Sequence, residues 1–176
     1  MSATRQIQLL TQSSLERFRD RLSGWFCEKW DTELEEEFDF PDRATMERGE
    51  WNRWVGETGE RLSAKYLRMK GCRILYRNYR AGGGGEVDIV CRDRDFLVFT
   101  EVKTRTSLDY GRPSQAVNEA KQKLISRGAN AWLRLLNFPE IAFRFDVVEV
   151  ILQDREKPDV TWIQDSFTTP QVGLGQ

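Results

Sequence analysis

Two runs dense in β-branched and aromatic residues, Glu86 to Cys91 (EVDIVC) and Phe96 to Thr104 (FLVFTEVKT), are separated only by Arg92 to Asp95. Residues of these types favour pleated, extended backbone, and so short a polar break closes the two runs into an antiparallel hairpin. The hairpin also carries acid and base: Asp88 on its first strand, Glu101 and Lys103 on its second. Side chains alternate along a strand, so Glu101 and Lys103 share one face and Val102 takes the other. With the turn centred between Arg94 and Asp95, Asp88 sits across from Glu101 and Glu86 across from Lys103, with Cβ atoms ~5 Å apart. A slip of one residue would turn Asp88 to the opposite face.

The flanking segments supply the other layers. Leu62, Ala64, Tyr66 and Leu67 lie in a helical stretch from Thr58 to Met69, and Gly71 stops it. Arg73 to Tyr79 (RILYRNY) reads as a strand preceding the hairpin. Pro113 introduces a helix from Ser114 to about Leu136, in which Ala116, Ala120, Leu124, Ala131 and Leu135 recur at helical spacing. Strands from Ile141 to Leu152 and Val160 to Ile163 follow, and the tail from Phe167 carries Pro and Gly and is expected to fray. Helix, three strands, helix, two strands is the order of an α/β sandwich: a central mixed sheet flanked by helices.

Charge divides the chain. The 176 residues hold 27 Lys+Arg and 28 Asp+Glu, a net charge of −1 that would ordinarily disfavour a polyanionic partner. Residues 1–50 carry 7 basic and 12 acidic side chains, whereas residues 51–176 carry 20 and 16, so the second part is net basic. Arg61, Lys65, Arg68, Lys70, Arg73, Arg77 and Arg80 follow one another with no acid between, interleaved with Tyr66, Tyr76 and Tyr79. That is either a phosphate-tracking surface or a solvated basic face. The expected organisation is an acidic extension at 1–50 with an amphipathic helix, an α/β domain at 51–165 and a flexible tail at 166–176. In the extension Leu15, Phe18, Leu22, Trp25, Phe26 and Trp30 form one stripe behind Ser13 and Ser14, able to cover the domain's own core or to bind a protein partner.

Composition narrows the chemistry. There is no histidine, which excludes Ser-His-Asp and Cys-His nucleophiles and His-ligated zinc. Cys27, Cys72 and Cys91 are odd in number and widely spaced, so reduced buried thiols are expected rather than a disulfide framework or a zinc site. No apolar run approaches the ~20 residues of a membrane helix, and the N-terminus has no secretory pattern, so no membrane partner and a cytoplasmic location are expected. Catalysis would have to run on carboxylates, lysine and a metal held by oxygen. Two facing carboxylates repel unless one takes a proton or a cation joins them. Mg²⁺ prefers oxygen ligands and keeps several waters, which suits a phosphate-bearing substrate, with Mn²⁺ a ready substitute.

An Asp followed on the next strand by Glu-x-Lys is similar to the PD-(D/E)xK motif of restriction-endonuclease-like nucleases. Asp88 corresponds to the first acid, Glu101 and Lys103 to the second half, and Val87 stands where proline is usual. GETGERLSAKYLRMKGCRILYRNYR (56–80), GEVDIV (85–90), LVFTEVKTR (97–105), AVNEAKQKLISRGANAWL (116–133) and FRFDVVEV (143–150) together resemble the YraN-like family of small uncharacterised proteins. The resemblance covers nearly all of 54–150. It implies a restriction-endonuclease-like fold near that of archaeal Holliday junction resolvases, in which a helix glutamate, here Glu60, joins the metal site. It implies a Mg²⁺-dependent endonuclease acting on DNA, preferred over RNA, including branched or flapped forms. Asp88, Glu101 and Glu60 would hold the metal and Lys103 would serve the reacting phosphate. Arg73, Arg77, Arg80, Arg105 and Lys121 are the expected nucleic-acid contacts, and a homodimer is expected by fold-level analogy.

Each of these residues also has a plainer reading. Glu60 could favour the first turn of its helix through the dipole. Glu86 could be a further carboxylate at the metal or a partner for Lys103. Gly82 to Gly85 could cradle a phosphate or simply form a flexible turn. Gln115, Lys121 and Lys123 could approach the scissile phosphate or face solvent. Asp146 is either a polar-face residue or a structural partner for a basic side chain. The alternative function is a non-catalytic nucleic-acid-binding protein with a nuclease-like fold.

Overall fold

The structure, a computed structural model, describes residues 40–107, 117–154 and 156–168. The aromatic stripe of the extension, Cys27, Gln115 and residues 169–176 of the tail lie outside the described residues, whereas Ser166 and Phe167, expected in the tail, end the last strand, with Phe167 stacked on Phe145. After a short 3-10 turn at Arg43–Thr45, the elements are α1 (Arg48–Met69), β1 (Arg73–Arg80), β2 (Glu86–Asp93), β3 (Phe96–Arg105), α2 (Glu119–Leu135), β4 (Ala142–Ile151) and β5 (Asp159–Phe167). The order is the expected one. α1 begins ten residues before the periodicity predicts, because Glu47 and Glu50 form a reciprocal capping box that starts a helix the apolar spacing does not announce. It ends as expected: Gly71 takes φ +89 and Cys72 N–H closes on the Leu67 carbonyl at 2.9 Å.

The five strands lie in one sheet in chain order, antiparallel throughout except for the parallel β3–β4 pair, which α2 connects. This mixed sheet with helices on its faces is the restriction-endonuclease-like α/β sandwich expected. The α2 side of the sheet buries Val90, Leu97, Phe99, Phe145 and Val147 against Ile125, Ala129, Trp132 and Leu133. The α1 side buries Ile89, Cys91, Val98, Val148 and Val150 against Ala64 and Leu67. With both faces covered, β3 is buried from Leu97 to Glu101 and β4 from Phe145 to Val150, so a polar residue in these stretches has to find a partner inside. Among the described residues no helix is long and apolar enough to cross a membrane.

Close approaches fix how α2 lies on the sheet. A Cβ on Gly85 would fall against the Gly128 backbone, 2.6 Å from the Arg127 carbonyl carbon, and one on Gly128 would reach Val87 and the Glu86 backbone. Two glycines therefore let helix and strand touch backbone to backbone. On the other side Gly59 lets α1 settle on Thr104 of β3.

Asp146 resolves to the structural alternative. It is fully buried and accepts from Arg144 Nε at 3.0 Å, from the Trp162 indole at 2.8 Å and from the Asp165 amide at 3.0 Å, while Arg144 also reaches Asp93 at 2.8 Å. Cys72 and Cys91 are free, buried and in contact with each other, a neighbourhood that their separation in sequence conceals.

Candidate active site

The hairpin turn is Arg94–Asp95, with Arg94 at φ +51, and the β2–β3 register is the one predicted. Paired residues run from Asp93↔Phe96 to Ile89↔Thr100, and the same register continued brings Asp88 opposite Glu101. The strands part at that step. Asp88 Oδ2 instead accepts from the Val102 backbone amide at 2.8 Å, so the side chain fills the place of a ladder hydrogen bond.

The reason lies in β1. Asn78 has φ +55 inside the strand, a conformation Asn tolerates better than most residues. Tyr76 and Tyr79 consequently pack on the same α2-side core although three residues apart, and so do Val90 and Val87 opposite them. A regular strand would put residues three apart on opposite faces. The paired irregularity, centred on Asn78 and Asp88, frees the Asp88 carboxyl from the sheet face and delivers it to the edge of the gap with β3.

Glu101 lies on the α2 side with its side chain 8% exposed. Burial first, and then the charge of Asp88, raise its pKa from 4.5 to about 8, against the opposing pull of Lys121. Lys121 Nζ approaches Glu101 Oε2 at 3.2 Å, which offsets part of the cost of burying that oxygen. The same ammonium donates to Glu86 Oε1 at 2.6 Å, which lowers the Glu86 pKa. Burial works against charge on Lys121, yet Glu86, Asp88 and Glu101 outweigh it and its pKa is raised. The N-cap of α2 aims this side chain: Asn118 Oδ1 accepts from the Lys121 amide at 2.9 Å.

The remaining expected residues are distributed as follows. Glu60 of α1 accepts from Asn78 Nδ2 at 2.6 Å and lies 3.9 Å from Arg77 Nη2, and burial together with the nearby Asp88 charge raises its pKa. It is near enough to feel Asp88, but among the described residues no group of three or more carboxylates or thiols is arranged to hold a metal. The expected set of three is thus a close pair, Asp88 and Glu101, with Glu60 engaged by Asn78 beside it. Lys103 shares the Glu101 face by alternation, is half-buried, and forms no ion pair with another described residue. Glu86 partners Lys121 and, at 3.6 Å, Arg80 rather than Lys103, because α2 brings a longer reach across the sheet than the strand pair does. Arg77 turns to Glu60, Arg105 is half-buried at the end of β3, and Arg73 is exposed at the opposite end of β1 from Arg80. The expected basic contacts are therefore dispersed over β1, β3 and α2, with Arg77 and Lys121 engaged by acids.

The donor set fits a hard divalent cation. Two adjacent carboxyls offer oxygen ligands, and Mg²⁺ commonly takes one or two carboxylates and completes its shell with water and phosphate. A cleft of about 300 Å³ lined by Asn52, Val55, Gly56, Glu60, Val102 and Thr104 opens on the α1 side of the sheet, next to Glu60. The residues that sequence reasoning missed are Asn78, whose only signal is an Asn inside a strand run, and Glu86 as the anchor of Lys121.

Comparison with known proteins agrees with the expected family. The model of the family described as "Uncharacterised protein family UPF0102" matches residues 59–150. A UPF0102 protein of Trichlorobacter lovleyi is 48% identical over 120 residues, covering 68% of this chain and 94% of the relative. UPF0102 protein GSU0650 of Geobacter sulfurreducens is 43% identical over 116 residues, covering 66% and 90%. A relative from Natranaerobius thermophilus is 36% identical over 117 residues and is covered over 98% of its length. The matched segment spans Glu60, the kink at Asn78, both carboxylates and Lys121. The chain belongs to the UPF0102, or YraN-like, family.

Proposed function

We propose that this protein is a metal-dependent nuclease that hydrolyses phosphodiester bonds in DNA, including branched or flapped forms. The observation that carries the reading is the Asp88–Glu101 pair. A buried carboxyl held near pKa 8 with a second acid against it is a site that a divalent cation would relieve. Asp88 and Glu101 would hold Mg²⁺ or Mn²⁺, which when bound lowers the pKa of a water and offsets charge on the phosphoryl oxygens. The chain's own residues do the rest. The Val102 amide fixes the Asp88 carboxylate, Lys121 bridges Glu86 and Glu101, and Lys103, on the same strand face as Glu101, orients the reacting phosphate. Glu60 and Asn78 support the Asp88 side of the pair. Two free, buried thiols fit a reducing compartment, and the reading places the enzyme in the cytoplasm.

A second reading, a non-catalytic nucleic-acid-binding protein, is favoured by Lys121, whose ammonium at 3.2 Å from Glu101 already offers the acid pair a cation. One experiment separates the two. Single-stranded, duplex, flap and four-way DNA, and the matching RNA, are incubated with wild type, Asp88→Ala and Lys103→Ala in Mg²⁺ or Mn²⁺. The nuclease reading expects metal-dependent cleavage that falls at least a hundredfold in both variants. Equal cleavage by all three proteins would mean a contaminant, and salt-dependent binding without any cleavage would leave the binding protein.

A further inference from the structure

A cleft of about 560 Å³ separates the turn joining β1 to β2 from the outer face of α2, and no residue of the Asp88–Glu101 pair lines it. Its charged lining consists of Arg80, Arg127 and Arg134, with no acid among the described residues. Arg127, Asn130 and Arg134 follow at helical spacing and present one stripe toward the turn. Planar guanidinium groups match phosphate oxygens in paired hydrogen bonds.

The glycines of the turn divide into two kinds. Gly84 takes φ +80, and Gly85 lies against the Gly128 backbone, so the fold requires both. Gly82 and Gly83 have neither a positive φ nor any atom within 4 Å of an added Cβ, so packing requires neither. Both line the cleft, and the turn's own hydrogen bonds use the amides of Ala81 (2.8 Å) and Gly84 (3.0 Å), not theirs. Bare backbone whose amides are unused among the described residues, opposite Arg127 and Arg134 and beside Arg80, is what close approach of an anionic ligand requires.

Arg80 ties the cleft to the acid pair. It lines the cleft and stands 3.6 Å from Glu86, which bonds Lys121 at 2.6 Å, which in turn reaches Glu101 at 3.2 Å. The exposed, linear run of positive charge suits a strand that passes through better than an enclosed metabolite.

We propose that this cleft is a second phosphate-binding subsite that holds the sugar-phosphate backbone of a nucleic-acid strand leading to the Asp88–Glu101 pair. Arg127 and Arg134 clasp the phosphate oxygens and the amides of Gly82 and Gly83 donate to them. The assignment rests on the nuclease reading only in naming nucleic acid as the ligand.

The test is fluorescence anisotropy of a labelled single-stranded oligonucleotide with the full chain in EDTA, over a range of salt. Arg127→Glu and Arg134→Glu should each weaken binding about tenfold and lower the salt slope by about 1, as loss of one phosphate contact does. Gly83→Asp, which puts an acid on the bare wall, should weaken it as well. Lys157→Glu, the same charge change at an exposed residue before β5, should bind as wild type does. Should Arg134→Glu loosen the last turn of α2, Arg127→Glu in mid-helix carries the result, with thermal melts to verify folding. Wild-type affinity in the cleft variants, an equal loss in Lys157→Glu, or inorganic phosphate binding as tightly as the oligonucleotide would each overturn the proposal. Without divalent ion the readout is independent of turnover. Loss of binding in the cleft variants alongside no cleavage on any substrate would retain the subsite and reject the nuclease, and cleavage with unaffected cleft variants would do the reverse.

Discussion

Replacing Glu101 by glutamine should stabilise the metal-free protein at neutral pH. The folded carboxyl has a pKa of about 8 against 4.5 for an ordinary one, chiefly through burial. A carboxyl whose folded pKa is raised contributes its full stability below pH 4.5 and loses it as pH climbs toward 8, because the unfolded chain releases the proton first. Each pH unit in that window costs about 1.4 kcal/mol, so by pH 7 the loss approaches ~3 kcal/mol. Glutamine keeps the shape and has no proton to lose. It gives up the carboxyl oxygen that Lys121 approaches at 3.2 Å, but Lys121 retains Glu86 at 2.6 Å, so a net gain of ~2 kcal/mol is expected. In a chain of 176 residues that is a rise in Tm of roughly 4–8 °C. Circular-dichroism melts in EDTA at pH 5 and pH 7 measure it. The variant should match or fall slightly below wild type at pH 5 and exceed it at pH 7, and millimolar Mg²⁺ should raise the melting temperature of the wild type but not of the variant. If Glu101→Gln were destabilising to the same degree at both pH values, Glu101 would be an ionised partner of Lys121 throughout, and the reasoning from a strained acid pair would be wrong.

Three further outcomes follow from particular contacts. Asp146→Ala should cost about 3–5 kcal/mol in urea melts, because Arg144 is left buried beside only Asp93 and the Trp162 indole loses its acceptor; a loss under 1 kcal/mol would mean solvent reaches the site. Gly128→Ala should destabilise by more than the ~1 kcal/mol that helix propensity alone would return to it, since its Cβ meets the Glu86 backbone at 3.1 Å, whereas Gly82→Ala should be neutral in the same melts. Asn78→Ala should cost ~1–2 kcal/mol through strain at φ +55 and loss of the 2.6 Å bond to Glu60, and Asn78→Gly should recover the backbone part but not the bond. Equal stability of the Gly and Ala variants would show that the strand does not depend on that conformation.

The hairpin was legible because its register follows from local quantities: the length of the polar break and the alternation on either side. Those two place Asp88 across from Glu101 without any tertiary contact, and the order of helices and strands follows from periodicity in the same way. The start of α1 was less legible, since a capping box of two glutamates carries no hydrophobic signal. Asp146 offered two readings because a lone acid on a strand looks the same in sequence whether it meets water or Arg144.

The sequence by itself therefore determined the α/β order, the hairpin that pairs two carboxylates and, by excluding histidine, the kind of chemistry open to the chain. Only the tertiary structure decided which cation stands at those carboxylates and how they are held. Lys121 reaches Glu86 across 35 positions because two glycines let α2 touch β2, Asp88 leaves the sheet face because Asn78 kinks the neighbouring strand, and Glu60 meets Asn78 because α1 packs on the other side. These are contacts between elements. They depend on how closely layers approach and where a strand breaks its alternation, and neither quantity is written in the spacing of residues along a single segment.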